Sequence, residues 1–395
     1  MAKNDNLKDF LIDVADAIRE KKGTTEPINP QDFASEIASI ETGGGMVADA
    51  PIKDVNFYDY DGTRLYSYSW DEIVAMTELP PLPTRKGLIC EGWNYTLEQI
   101  KEQPYKKADV GAIYNTSDGK TRFYISVLKP NERVGVRPSN TNGGVDFIID
   151  WGDGTNENVS ATGGWVYHDY LNEGDYVITV GNESRITLTD SGSKAFSFSS
   201  SFLRKVECGN NLTINYQGLQ NDRNLKSISV SSTSHLDYTC FSGCLSLEAY
   251  MCKSGVRPSN RLFYESGIQI VSIAPMSGTQ IIGEYTFYNC KALRRVCIPM
   301  GVTSINNRAF YGSGIMCVYI PPSVLSIATY AFNSCDSLRE LDFSHHTSIP
   351  TLGSNALPSS SLFSKIIVPD ELYDEWIATS GWKNYASKIV KASEQ

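Results

Sequence analysis

The sequence predicts a multidomain, mostly β chain: short N-terminal helices and a mixed α+β region, then a small β-sandwich, then a repeat solenoid with a parallel β-sheet. Three observations carry this. An apolar-x-x-apolar-x-apolar pattern recurs eight times from Leu203 onward, residues 121–188 alternate apolar and polar positions between turn residues, and the first 40 residues place apolar side chains at helical spacing. The 395 residues suffice for several cores, and the expected boundaries are 1–45, 46–120, 121–200, 201–369 and 370–395.

Charge and composition exclude several classes of function. Thirty-five Lys and Arg against 45 Asp and Glu give a net charge of -10 without a basic tract, which argues against binding to nucleic acid. No apolar run approaches the roughly 18 residues of a bilayer span, so no membrane insertion is expected. The first residues lack the apolar run of a secretion signal, so export is expected by another route, such as cell lysis.

In the N-terminal segment, Leu7, Phe10, Leu11, Val14 and Ile18 form one helical stripe, and Phe33, Ile37 and Ile40 a second behind Asn29 and Pro30. Two such helices cannot close a core alone, so they are expected to pair with another protein or with copies of themselves. Between residues 52 and 120, Val55, Phe57 and Tyr58 precede the Asp61-Gly62 turn and Leu65, Tyr66 and Tyr68 follow it, a hairpin pattern. Ser69 with Glu72 forms a capping box for a short helix, Thr96 caps another, and three prolines stiffen residues 79–83. Asp59 and Asp61 suggest a calcium loop, but its twelfth position would be Trp70, so a solvated turn is expected.

The next region carries Asp150-Trp151-Gly152-Asp153-Gly154-Thr155, then Tyr167-His168-Asp169-Tyr170 and Gly174-Asp175-Tyr176. These motifs resemble those of the polycystic-kidney-disease type of immunoglobulin-like domain. The resemblance implies an immunoglobulin-like β-sandwich acting as a spacer, adaptor or carbohydrate-binding module. His168 and Asp153 have no nucleophile placed beside them by the sequence, and a structural role within the turn is expected of both.

The repeats begin at Leu203, Leu225, Leu247, Ile268, Leu293, Ile315, Leu338 and Phe363, at intervals of 22, 22, 21, 25, 22, 23 and 25 residues. Phe241, Phe263, Phe287, Phe310 and Phe332 stand five or six residues before the strands, with Leu219 and Leu357 in flanking units, and aliphatic residues precede most of them. One coil cannot bury its apolar side, so the coils must stack. With Ala309-Phe310, Ala331-Phe332 and the recurrent Cys244, Cys290 and Cys335, these units resemble the BspA-like, or treponemal, leucine-rich repeats. After residue 369, Trp376, Ile377, Trp382, Tyr385 and Ile389 are expected to cap the last coil.

Nine cysteines follow the repeat instead of a ligand spacing, and Cys240 and Cys244 have no second pair. His345-His346 reads as a surface loop. No nucleotide loop, metal cluster or nucleophile constellation is present, so no catalytic residue, metal or cofactor is expected. Recognition of a large partner is the remaining role. Ile270, Arg295, Tyr319, Glu340 and Asp342 occupy outward positions of the sheet, which reads equally as a recognition strip for a protein or glycan on a cell surface or as a solvated face. The competing surface is the loop set carrying Tyr264, Tyr288, Tyr311 and Tyr330.

Residues 7–40 and the segments Asn56-Phe57-Tyr58-Asp59-Tyr60-Asp61-Gly62, Leu79-Pro80-Pro81-Leu82-Pro83 and Gly92-Trp93-Asn94 resemble parts of phage or prophage tail-associated proteins of gut bacteria. That resemblance implies a virion protein attached through its N-terminal helices, in contact with other virion proteins or with its own copies, and released by lysis. A bacterial cell-surface adhesion or host-interaction protein is the alternative.

Overall fold

The computed structural model describes residues 53–139, 147–159, 164–181, 187–188, 196–197, 202–210, 213–214, 217–232, 235–236, 239–252, 259–275 and 280–394. The two N-terminal helices expected over residues 7–40 lie outside the described residues, as does Pro258 in the third repeat.

The first sheet is built from β1 (Val55–Tyr58), β2 (Arg64–Tyr68), β3 (Leu88–Trp93) and β4 (Ala108–Thr116), in the order β2-β1-β4-β3. β1 and β2 are the expected hairpin, and β4 runs parallel to β1 and antiparallel to β3. Helices α1 (Trp70–Ala75) and α2 (Leu97–Lys101) connect the strands; the Ser69/Glu72 capping box forms as read, and Gln99 completes the expected Thr96 cap into a second box. Phe57 meets Trp93 edge-on at 4.9 Å in the core of this sheet. The expectation for Asp59 needs correction: its turn is not solvated at that position. Asp59 is fully buried beside Arg85, and its backbone neighbours Tyr58 and Tyr60 are buried with it. Burial raises the Asp59 pKa despite the nearby guanidinium.

Next come β5 (Thr121–Val127) and β6 (Glu132–Val136), which lie in different sheets. β5 sits inside a six-stranded sheet with Gly174–Val180, Phe147–Asp150 and Asn156–Val159 on one side. β6 is flanked by Val166–Tyr170 and Phe196–Ser197. Phe123, Ile125, Val134, Val136, Ile149, Trp151 and Ile178 fill the core that these strands share with the repeats. The Asp150-Trp151-Gly152-Asp153-Gly154-Thr155 turn is held locally: Asp150 accepts from the Gly152 N–H at 2.9 Å and Asp153 from the Thr155 N–H at 3.0 Å. Gly152 has φ +81 and a Cβ there would lie 2.6 Å from the Val177 carbonyl oxygen, so the turn requires glycine.

On the other side of β5 the same sheet continues into the repeats. Strand Phe202–Glu207 pairs antiparallel with β5 and parallel with Ser227–Ser229, so the first repeat strand is a junction. Further parallel pairs join Ala249–Cys252 to Ile270–Ile273, and Cys317–Tyr319 to Glu340–Asp342 and Lys365–Val368. The inward residues stay in register: Tyr250 opposite Val271, Val318 opposite Leu341, and Leu341 opposite Ile366. Leu293, Val296 and Ile298 of the fifth unit are buried in line with them but form no described strand.

A second parallel ladder runs through the aliphatic positions, with Gln280–Ile282, Val302–Ile305, Ser326–Ile327 and Thr351–Leu352 in consecutive coils. Between the two ladders Phe241, Phe263, Phe287, Phe310 and Phe332 stack with centroids 5.7, 5.5, 5.0 and 5.1 Å apart. The result is a β-solenoid of about seven turns. The tail closes it: Trp376 and Trp382 are buried against Phe343, and Ile389–Lys391 adds a parallel strand to Lys365–Val368, a pairing the sequence did not announce.

Candidate functional site: a covered sheet face and an open turn edge

Side chains at the third and fifth strand positions do leave the solenoid core, but much of the face they form is covered by the first sheet. β4 lies across it at close range. Gly111 is what permits this, since a Cβ there would stand 2.7 Å from that of Met251. Met251 and Ala249 pack with Tyr58, Ile113 and Ile270 in a separate apolar cluster between the two bodies. The Asn94 amide donates to the Cys252 carbonyl at 2.9 Å and to Ser272 Oγ at 2.8 Å, while its oxygen accepts from the Gly111 N–H at 2.8 Å. The Tyr95 hydroxyl donates to the Ile273 carbonyl at 2.7 Å.

Arg295 sits at the middle of this seam. Its guanidinium forks onto Asp109 of β4, Nε to Oδ2 at 2.9 Å and Nη2 to Oδ1 at 2.7 Å, while the Cys297 thiol donates to Asp109 at 3.3 Å. Burial works most strongly against the Arg295 charge, but Asp109, Cys297 and Tyr58 together outweigh it and the pKa is raised. Burial pushes the Cys297 thiol up to about 12, aided by the same carboxylate. Tyr319 packs on Tyr105 at 5.3 Å with Lys107 over its ring, and the Tyr105 hydroxyl donates to the Ile320 carbonyl.

Three of the five strip residues, Ile270, Arg295 and Tyr319, are therefore in contact with the chain's own first sheet and its flanking loop. Glu340 and Asp342 are half-buried on the next strand, where Asp342 lies within electrostatic range of Tyr105 and burial and then Asp342 raise the Glu340 pKa. Asp109, Asn94, Tyr95 and Tyr105 were missed by sequence reasoning. Only Asp109 carried a signal, as a lone carboxylate inside the apolar run Ala108–Thr116.

The turns before the strands present the other candidate surface. Each coil places a residue at positive φ two positions before its Phe or Leu: Gln217, Thr239, Arg261, Tyr285, Arg308, Tyr330 and Asn355. This left-handed geometry stacks the side chains coil on coil. Arg261 lies 5.0 Å from the Tyr285 ring, and Arg308 lies 5.6 Å from Tyr285 and 4.8 Å from Tyr330. The residue after each Phe forms a parallel row in which Tyr264, Tyr288 and Tyr311 stack at 4.8 and 5.0 Å, within 8° of parallel. Tyr285 bridges the two rows, 5.6 Å from Tyr288. All five tyrosines and Arg308 are half-buried, and Arg261 is exposed.

The remaining candidates have structural partners. His168 stacks on Trp151 at 5.0 Å and meets Asp153 at 2.7 Å. The thiols of Cys244, Cys290 and Cys335 donate to the carbonyls of Leu219, Phe263 and Phe310 in the preceding coils, at 3.1, 3.0 and 2.9 Å. Burial pushes Cys290 up to about 12 and Cys335 to about 11. His346 is buried against Phe343 and the Ile320 carbonyl, which corrects the surface-loop expectation for that histidine, while His345 is exposed. Among the described residues no group of His, Cys, Asp and Glu is arranged to hold a metal ion, and no helix is long and apolar enough to cross a membrane.

Residues 182–268 and 257–375 match the BspA type leucine rich repeat region, in six copies. The C-terminal half is a BspA-type leucine-rich repeat region. Such repeats generally mediate protein interactions and are generally not catalytic. No curated protein matches the chain. Among solved structures, a leucine-rich repeat protein from Bacteroides ovatus is similar over 46% of this chain and 46% of its own, at 23% identity and a TM-score of 0.30, so less than half of that protein is spanned.

Proposed function

We propose that this leucine-rich repeat chain is a non-enzymatic recognition protein that engages a macromolecular partner on a cell surface through the turn edge of its solenoid. One observation carries the reading: the sheet face is largely covered from within, whereas the stacked tyrosines and arginines of the turns are not. Tyr and Arg are the residues that most often anchor interfaces, and side chains already held in stacks lose little freedom on docking. In this reading residues 1–45 attach the chain to a particle or surface, as on a phage or prophage tail or, alternatively, a bacterial cell surface. The layers around Trp151 then serve as a rigid spacer of the immunoglobulin-like kind. Glu340 and Asp342 extend the recognition surface beyond the covered strip.

Binding of the full chain to a panel of intact gut-bacterial and host cells tests this. Tyr288→Ala/Tyr311→Ala is expected to weaken binding by at least about tenfold with an unchanged circular dichroism spectrum. Unchanged binding would remove the turn edge as the recognition surface.

A further inference from the structure

Arg261 and Arg308 are the unusual members of the turn edge. Arg308 donates to the Tyr285 hydroxyl at 2.9 Å and contacts Asn307, and both guanidiniums lie over aromatic rings. Neither forms an ion pair among the described residues, although the protein carries a net charge of -10. Glu265 bonds the Tyr264 hydroxyl near Arg261 without pairing with either guanidinium, so two positive groups held on an aromatic ladder in an acidic protein are left to complement a negatively charged ligand.

The spacing narrows the class of ligand. Arg261 and Arg308 occupy equivalent positions two coils apart, which puts them roughly 10 Å apart at the spacing of about 4.8 Å between parallel strands. Tyr285 lies between them, and Tyr264, Tyr288 and Tyr311 run alongside with one aromatic group per coil. A linear polysaccharide of six-membered sugars advances by about one coil per sugar, so an acidic group on every second sugar meets one guanidinium after the other. An extended peptide repeats same-side residues about every 6.7 Å and falls out of step with this ladder. Resting on the turn-edge reading above, we infer that Arg261, Tyr285 and Arg308 bind a linear acidic polysaccharide carrying a carboxylate on alternate sugars. The guanidiniums take the carboxylates and the tyrosine hydroxyls take sugar hydroxyls between them.

The test is calorimetric titration of the full chain with hyaluronan oligosaccharides, whose uronic acid alternates, with neutral chitooligosaccharides and poly-glutamate as comparisons. Hyaluronan oligosaccharides are expected to bind, to weaken with rising salt, and to lose at least about tenfold in affinity with Arg261→Gln/Arg308→Gln. Arg261→Gln alone is expected to give an intermediate loss, which keeps the test decisive if the double variant folds poorly. Equal binding of the neutral sugar, tighter binding of poly-glutamate, unchanged affinity in the variants, or no binding of hyaluronan would each overturn the inference. If cell binding still falls in the Tyr288→Ala/Tyr311→Ala variant under those outcomes, the turn edge stands and only its ligand class is wrong.

Discussion

Asp109 and Arg295 show how much of the architecture rests on single residues. The Asp109 side chain is 5% exposed and that of Arg295 28%, and they meet in a bidentate geometry that satisfies both. A buried pair of this kind contributes modestly compared with an apolar pair of the same shape, but removing one member leaves the other uncompensated, at a cost of about 3–5 kcal/mol. Because Arg295 keeps partial access to water, the lower end applies. Asp109→Ala is expected to destabilise the chain by about 3 kcal/mol, while Asp109→Leu/Arg295→Met recovers most of that loss. Urea unfolding followed by fluorescence measures both, and a double variant no more stable than Asp109→Ala would show that the two charges do not act as a pair.

At the scale of the element, periodicity determined what could be read in advance. Phe287 and Phe310 repeat at one position of the coil, so the sequence alone placed them inward, and they stack as neighbours. The recurrent Cys244, Cys290 and Cys335 were legible as packing residues for the same reason, although their bonds to the carbonyls of the preceding coils were not. The cover over Arg295 and Tyr319 was illegible because Asn94, Asp109 and Tyr105 each act once, at a distance of 158 to 215 residues along the chain from their partners. His346 was misplaced on the same grounds: nothing in its neighbours signals the Trp376 ring 6.1 Å away. Phe310 tests the stack directly. Fully buried between Phe287 and Phe332, it should cost about 3–5 kcal/mol as Phe310→Ala, and the loss of packing should speed amide exchange in the coils on both sides. A loss below about 1 kcal/mol in urea unfolding would mean that the coils do not depend on the ladder.

In the whole molecule, the repeat sheet meets the rest of the chain in two ways. Its first strand pairs edge to edge with β5, farther along its outer face receives β4, and Trp376 and Trp382 cover the far end of the coils. The solenoid core on its inner side is formed by different residues from those that meet β4, which makes the two contacts separable. Met251 is the residue to separate them with, because it is buried against Gly111 and Ile113 yet contributes nothing to the stack of phenylalanines. Met251→Lys places an ammonium among apolar groups and removes a buried side chain worth about 2–3 kcal/mol, so the first sheet should loosen while the coils persist. Hydrogen exchange is expected to quicken in residues 55–58 and 108–116 and to stay slow at Val318, Leu341 and Ile366. Loosening would also expose Arg295 and Tyr319 and restore the strip to solvent. Uniformly faster exchange throughout the repeats would show instead that the cover and the coils fold as one unit.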